Sequence, residues 1–163
     1  MQFFEFKFLT PIYKYLDTTA ASHFLQQSTY TFPVTEVIHL IGITMFIGAV
    51  ITVCLRFLGF GIRQSASEIY AGLRIWTWIS FWIVTLTGVM MIVAEPIKLS
   101  NNAMFPTKLL WLVIAYGLHF FGYLGLVKPG RAEASPILAK TLAIAMLISW
   151  IITGIGGRYI GFV

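Results

Sequence analysis

Four long stretches of the chain are apolar almost without interruption, with short polar stretches between them. The first runs from Val37 to Leu55 and contains only His39 and a few small or weakly polar residues; Arg56 closes it, and Gly59 and Gly61 follow. The second covers Trp76 to Ala94. It is preceded by Ser65-x-x-Glu68, the spacing of a helix capping box, and stopped by Glu95–Pro96. The third opens at Pro106 and is apolar from Leu109 to Val127, framed by Lys108 and Lys128, with Lys128–Pro129–Gly130 as a breaker. The fourth opens with Ser135–Pro136, a cap and first-turn proline, and fades at Gly154, Gly156 and Gly157. The hydrocarbon core of a bilayer takes about 20 residues of helix. The pattern therefore predicts four spanning helices, at about 33–58, 70–94, 106–127 and 136–157. The connections are short, so neighbouring helices run antiparallel.

Residues 1–32 follow another pattern. Phe6, Leu9, Ile12, Tyr13, Leu16, Ala20 and Phe24 recur at helical spacing, with Lys14, Asp17, Gln26 and Gln27 off that stripe. With Thr10–Pro11 as cap and first turn, the spacing predicts one amphipathic helix over 10–27, lying in the membrane interface or docked on a partner subunit. A secretory signal peptide is not expected, because no basic segment leads into a clean apolar core and cleavage site. The expected fold is all-α: an integral membrane four-helix bundle over 33–163, preceded by an N-terminal interfacial segment over 1–32.

Composition narrows the class. The chain has 163 residues, 58% of them hydrophobic and 10% charged. Soluble domains carry about 25% charged residues, and the mean hydropathy is +0.85. A soluble globular domain is thus excluded, and the 16% aromatic content excludes a disordered chain. The net charge of +5 reflects loop basicity and contact with lipid. No run of Lys and Arg exists, so nucleic acid is not an expected partner. The single cysteine, Cys54, lies inside an apolar helix, which leaves no internal disulfide and no cysteine cluster for zinc or iron–sulfur. Arg56, Arg63, Arg74, Lys128, Arg131 and Lys140 fall on one membrane face, against Lys7, Lys14, Lys98, Lys108 and Arg158 on the other. By the positive-inside rule this predicts both termini on the periplasmic side of a bacterial inner membrane.

Ionisable residues inside a membrane are costly and mark function. His119 stands near the middle of the third span and His39 about two turns into the first; His23 belongs to the interfacial segment. Both spans read H-x-x-G, as His39…Gly42 and His119…Gly122. The second and fourth spans both run from a tryptophan to Thr-Gly: Trp82 to Thr87–Gly88, and Trp150 to Thr153–Gly154. The two halves of the bundle read as a faint repeat. Histidines on two helices of a bundle suit axial ligation of haem b, and a glycine one turn away admits a flat macrocycle. The same glycines equally suit close helix packing, with each histidine bonded to a neighbouring hydroxyl. Lys108, Leu112, Ala115, Tyr116, His119 and Gly122 share one helical face. Lys108 and Arg158 reach the same membrane surface, where they would clamp haem propionates between the first and third spans. If the spans start level, His39 and His119 differ in depth by roughly 10 Å. Copper is the other metal considered, with Met45, Met90, Met91 and Met104 beside His39, although no M-x-x-M cluster occurs.

The stretch E-V-I-H-L-I-G-I-T-M-F-I-G-A, carrying His39 and Gly48, resembles the opening helix of HemJ-type and CopD-type membrane proteins. F-P-T-K-L-L-W-L-V-I-A-Y-G-L-H, carrying Lys108 and His119, resembles their Lys-to-His helix. W-T-W-I-S-F-W-I-V-T-L-T-G, followed by N-N-A-M-F-P-T-K, is similar to an uncharacterised family of small bacterial four-span proteins. The likeness covers roughly residues 33–127. It implies a haem b site at His39 and His119, and an activity of either protoporphyrinogen oxidation or copper handling. The C-terminal G-I-G-G-R-Y-I-G-F-V and the N-terminal segment depart from the HemJ pattern. The expected function is electron transfer by a b-type cytochrome, as a subunit of a larger membrane complex or a homo-oligomer. The alternative is an accessory subunit that binds lipid and no cofactor.

Overall fold

The computed structural model describes residues 9–61 and 64–162. Phe6 of the N-terminal stripe, and Lys7 and Arg63 of the charge count, lie outside the described residues. Those residues form helices and connecting turns, with no strand among them. Four helices are long and apolar enough to cross a membrane: α3 (Thr31–Phe57), α4 (Ala66–Ala94), α6 (Phe105–Leu126) and α8 (Pro136–Tyr159). The protein is an all-α, multi-pass membrane bundle. Helices suit this solvent because each satisfies its own backbone hydrogen bonds where no water can.

The helix boundaries follow the local chemistry. In the Ser65–Glu68 capping box, the Glu68 N–H donates to Ser65 Oγ (3.3 Å) and the Ser65 N–H donates to Glu68 Oε2 (2.7 Å). This starts α4 at Ala66, about a turn before the predicted span of 70–94. Glu95–Pro96 ends α4, and a short α5 (Pro96–Ser100) occupies the connection to α6. Gly130 takes the left-handed conformation (φ 74°) that turns the chain from α6 into the short α7 (Arg131–Ala134).

The N-terminal segment departs from expectation. It forms two helices, α1 (Thr10–Asp17) and α2 (Ala20–Gln27). The break is chemical. The Thr18 and Thr19 hydroxyls donate back to the Tyr15 and Leu16 carbonyls, and Thr19 Oγ1 then accepts from the Ser22 N–H as the cap of α2. The turn re-phases the stripe: Tyr13, Ser22 and Leu25 are buried, whereas Ile12 and Phe24 stay exposed. Tyr13 packs edge-on against Phe105 and beside Leu99, so α1 is seated on the end of the bundle where α6 begins. Burial raises the Tyr13 phenol above its ordinary pKa.

The spans close into a ring. α3 packs on α4 and α8, and α8 packs on α6. The α4–α6 side is closed by rings: Phe81 meets Tyr116 and Phe120, each with centroids 5.4 Å apart. Phe46, Val50, Val53, Cys54, Tyr123, Ala143 and Met146 fill the centre. Among lipid tails there is no hydrophobic gain in pairing two apolar helices, so close fit carries the association. Gly42 and Gly122 supply that fit. A Cβ on Gly42 would stand 2.8 Å from Ile83 Cγ2, and one on Gly122 would stand 2.7 Å from Leu142 Cδ1.

The two contacts differ in compliance. Ile83 is β-branched and stiff, whereas the Leu142 terminus can rotate aside. Gly42→Ala should therefore lower stability by about 1–3 kcal/mol through overpacking, and Gly122→Ala should cost less. Nothing lies within 4 Å of the space beside Gly48. Gly48→Ala should leave the protein unchanged or raise its stability by up to ~1 kcal/mol through helix propensity. Thermal unfolding of the purified protein in detergent tests the order.

Candidate functional site

Two polar constellations stand inside the bundle, at different depths. The first surrounds His39. About two turns into α3, its Nδ1 lies 2.8 Å from Thr87 Oγ1, about two turns before the end of α4. The antiparallel pairing of these helices brings the two positions level. Thr87 Oγ1 also lies 2.5 Å from the Ile83 carbonyl. A carbonyl only accepts, so the threonine proton is committed there and the threonine oxygen accepts from His39 Nδ1–H. The bond fixes one tautomer and leaves Nε2 with its lone pair. Gly88 provides the seat: a Cβ there would stand 3.3 Å from His39 Cε1.

Lys108 lies near this imidazole, close enough for its charge to act on the ring. Its stem crosses two glycines of α8. A Cβ on Gly156 would stand 3.4 Å from Lys108 Cβ, and one on Gly157 would stand 3.4 Å from Lys108 Nζ. Lys108 and Gly122 thus pack on α8, through Gly156–Gly157 and Leu142, while His119 of the same helix meets Phe46 of α3. Small residues at both levels allow that approach. Arg158, the second cation of the expected clamp, is exposed; its guanidinium lies 5.2 Å from the centroid of the Phe162 ring, and it borders a surface recess with Ile155 and Tyr159.

The second constellation surrounds His119, which is 3% exposed. It sits in a π-helical turn, Leu118–Tyr123, within α6. Its ring stacks on Tyr123 at 4.7 Å and 20°, and meets Phe46 at 5.4 Å and Phe120 at 5.4 Å. Phe46 is two turns further along α3 than His39. The two histidines are therefore separated in depth by about 10 Å, as their distances from the helix starts imply. Each has its own surroundings: His39 bonds Thr87, and His119 stacks on Tyr123. Tyr116 belongs to the core: its ring packs on Phe81, Phe120 and Trp150, and its hydroxyl lies 3.4 Å from Thr85 Oγ1. Gly42 and Gly122 face Ile83 and Leu142, so helix partners occupy the space reserved in the sequence reading for a macrocycle.

The repeat makes this asymmetry legible. In the first half His39 bonds the Thr87 of its Thr-Gly pair. In the second half Thr153 donates to the Ser149 carbonyl, and nothing lies within 4 Å of the space beside Gly154. His119 stands about two turns deeper in α6 than Thr153 does in α8, counted from their shared end, so the equivalent bond cannot form. Sequence reasoning named both histidines but not Thr87, Tyr123 or Trp150 as their surroundings. The Thr-Gly half of the repeat was the available signal for Thr87.

The sequence model of a family of unknown function (DUF6644) matches residues 14–163, and the chain belongs to that family. No curated protein and no solved structure matches it.

The bond between His39 and Thr87 is open to direct test. Thr87→Val should lower stability by about 1 kcal/mol through loss of one hydrogen bond. It should also release the imidazole to populate both tautomers. Nitrogen-15 NMR of the protein in bilayers should then show the His39 ring change from one neutral pattern to two.

Proposed function

We propose that this member of the DUF6644 family is a haem b protein of the bilayer that carries electrons within a larger membrane assembly, in which His39 would hold the iron. One observation carries the reading: the Nδ1–H of His39 is held by the Thr87 hydroxyl, which puts the lone pair of the neutral ring on Nε2. Histidines that bind metals are commonly oriented in this way, through the second ring nitrogen. The residues around His39 suit the group. Gly88 gives the ring room, and Lys108 offers a cation near the bundle end to an anionic carboxylate. The resemblance to HemJ-type and CopD-type helices implies haem at His39 and His119, and supports the part of the assignment that rests on His39. His119 is left out of it, because it faces a separate, closed part of the core.

Haem, when bound, supplies a one-electron iron couple. The chain supplies the rest. His39 binds, Thr87 orients it, Lys108 neutralises charge, and the apolar spans exclude water. The six-to-five distribution of Lys and Arg supports a bacterial inner membrane with both termini periplasmic. A cofactor-free accessory subunit is the second reading. It is favoured by the filling of Gly42 and Gly122 by Ile83 and Leu142.

The visible spectrum of the purified protein separates them. A reduced-minus-oxidised Soret and α-band is expected, and a colourless preparation from haem-replete cells would decide for the accessory subunit. His39→Ala should abolish haem retention. Lys108→Ala should only weaken it, since one partly exposed charge pair is worth little. His119→Ala should keep the bands. A full complement of haem with an unchanged spectrum in His39→Ala would overturn the assignment.

A further inference from the structure

We propose that the π turn of α6 carries a second polar site, a mid-bilayer hydration site in which water bridges His119 Nδ1 and the Tyr123 hydroxyl. Three observations lead there. His119 Nδ1, the Tyr123 hydroxyl and Trp150 Nε1 are buried and have no hydrogen-bond partner among the described residues. Buried polar atoms are almost always matched, so three unmatched atoms in one core call for a resident partner. His119 and Tyr123 both lie in the π-helical turn, a widened geometry that recurs at functional sites. Finally, His39 has its threonine, whereas the depth of His119 denies it Thr153.

The arrangement selects the ligand. The imidazole and phenol stack with centroids 4.7 Å apart, so the two unmatched groups belong to adjoining rings. Phe46 packs on both His119 and Trp150, so the indole belongs to the same aromatic cluster. The indole only donates, the phenol donates or accepts, and the neutral imidazole needs a donor at one nitrogen and an acceptor at the other. Water meets all of these demands at once. Phe46, Ala143, Met146 and Tyr123 are 0–1% exposed and close the region to larger molecules. No group of three or more His, Cys, Asp or Glu side chains suited to a metal ion occurs among the described residues. The ligand is thus water or a neutral hydrogen-bonding molecule of its size. Buried waters of this kind make two to four hydrogen bonds and are integral to the fold.

Solid-state NMR of the full chain in lipid bilayers tests the site, with polarisation transferred from water to ring nitrogens. A short-mixing transfer to the His119 imidazole is expected, and no transfer at mixing times that reach other buried water contacts would overturn the proposal. Exchange of the lipid-phase water for deuterium should remove the transfer if water is the occupant. Persistence in deuterated buffer would assign the site to a retained solute and overturn the water assignment. Tyr123→Phe provides a second reading. Deleting a matched hydroxyl should lower the unfolding midpoint by roughly 2–8 °C, whereas an unmatched one would leave it unchanged or higher. Should the variant fail to fold, the transfer measured on the unaltered protein decides. None of these readouts uses the visible spectrum, so the site stands or falls apart from the haem at His39.

Discussion

The bundle depends on a constraint peculiar to its solvent. Two apolar helices in hydrocarbon gain little by hiding from lipid, so they hold together where their backbones approach closely. Gly42 against Ile83, Gly122 against Leu142, and Gly156–Gly157 against Lys108 are those approaches. Each fixes the rotation of one helix against its neighbour. Once α6 is turned to seat Lys108 and Gly122 on α8, His119 is carried into the aromatic core with Phe46 and Tyr123. Once α3 is seated on α4 through Gly42, His39 meets Thr87 and Gly88. The positions of the chemically interesting side chains follow from packing of residues that have no chemistry of their own.

The two histidines end in contrasting situations for that reason. His39 lies toward the end of the bundle, half-buried, with one nitrogen bonded and a cation nearby. His119 lies deep, stacked on a phenol, with a nitrogen unmatched. A repeat in sequence has thus become two unlike sites. The difference arises from register: a histidine can use the threonine of the following span only when both are equally far from their shared membrane face. The first half meets that condition and the second misses it by about two turns.

The N-terminal segment shows how small groups redirect a pattern. Apolar spacing alone continues smoothly across residues 10–27. Two adjacent threonines cut it, because their hydroxyls take the carbonyls that the next turn would have used. The second half then starts from its own cap, and α1 docks through Tyr13 and Leu9 on Leu99 and Phe105. A helix expected to lie in the interface becomes, in part, a cover on the bundle end.

The sequence by itself determined the elements. Runs of apolar residues as long as a bilayer is thick can be satisfied only by helices, so four spans were legible from length and composition. Their ends were legible too, because Ser65–Glu68, Glu95–Pro96 and Lys128–Pro129–Gly130 act locally. The residues capable of chemistry were equally visible, since an imidazole in an apolar run is costly and needs a partner. Tertiary structure alone decided which of them meet. Lys108 and His119 share a helical face, yet Lys108 packs on Gly156–Gly157 of α8 while His119 stacks with Tyr123 and meets Phe46 of α3. Arg158 comes to the same surface, and its guanidinium lies over the Phe162 ring. Rotation and register between helices arise from contacts such as Gly42 with Ile83 that lie far apart in the chain, and a period of 3.6 residues says which residues share a face but not which neighbour that face will find.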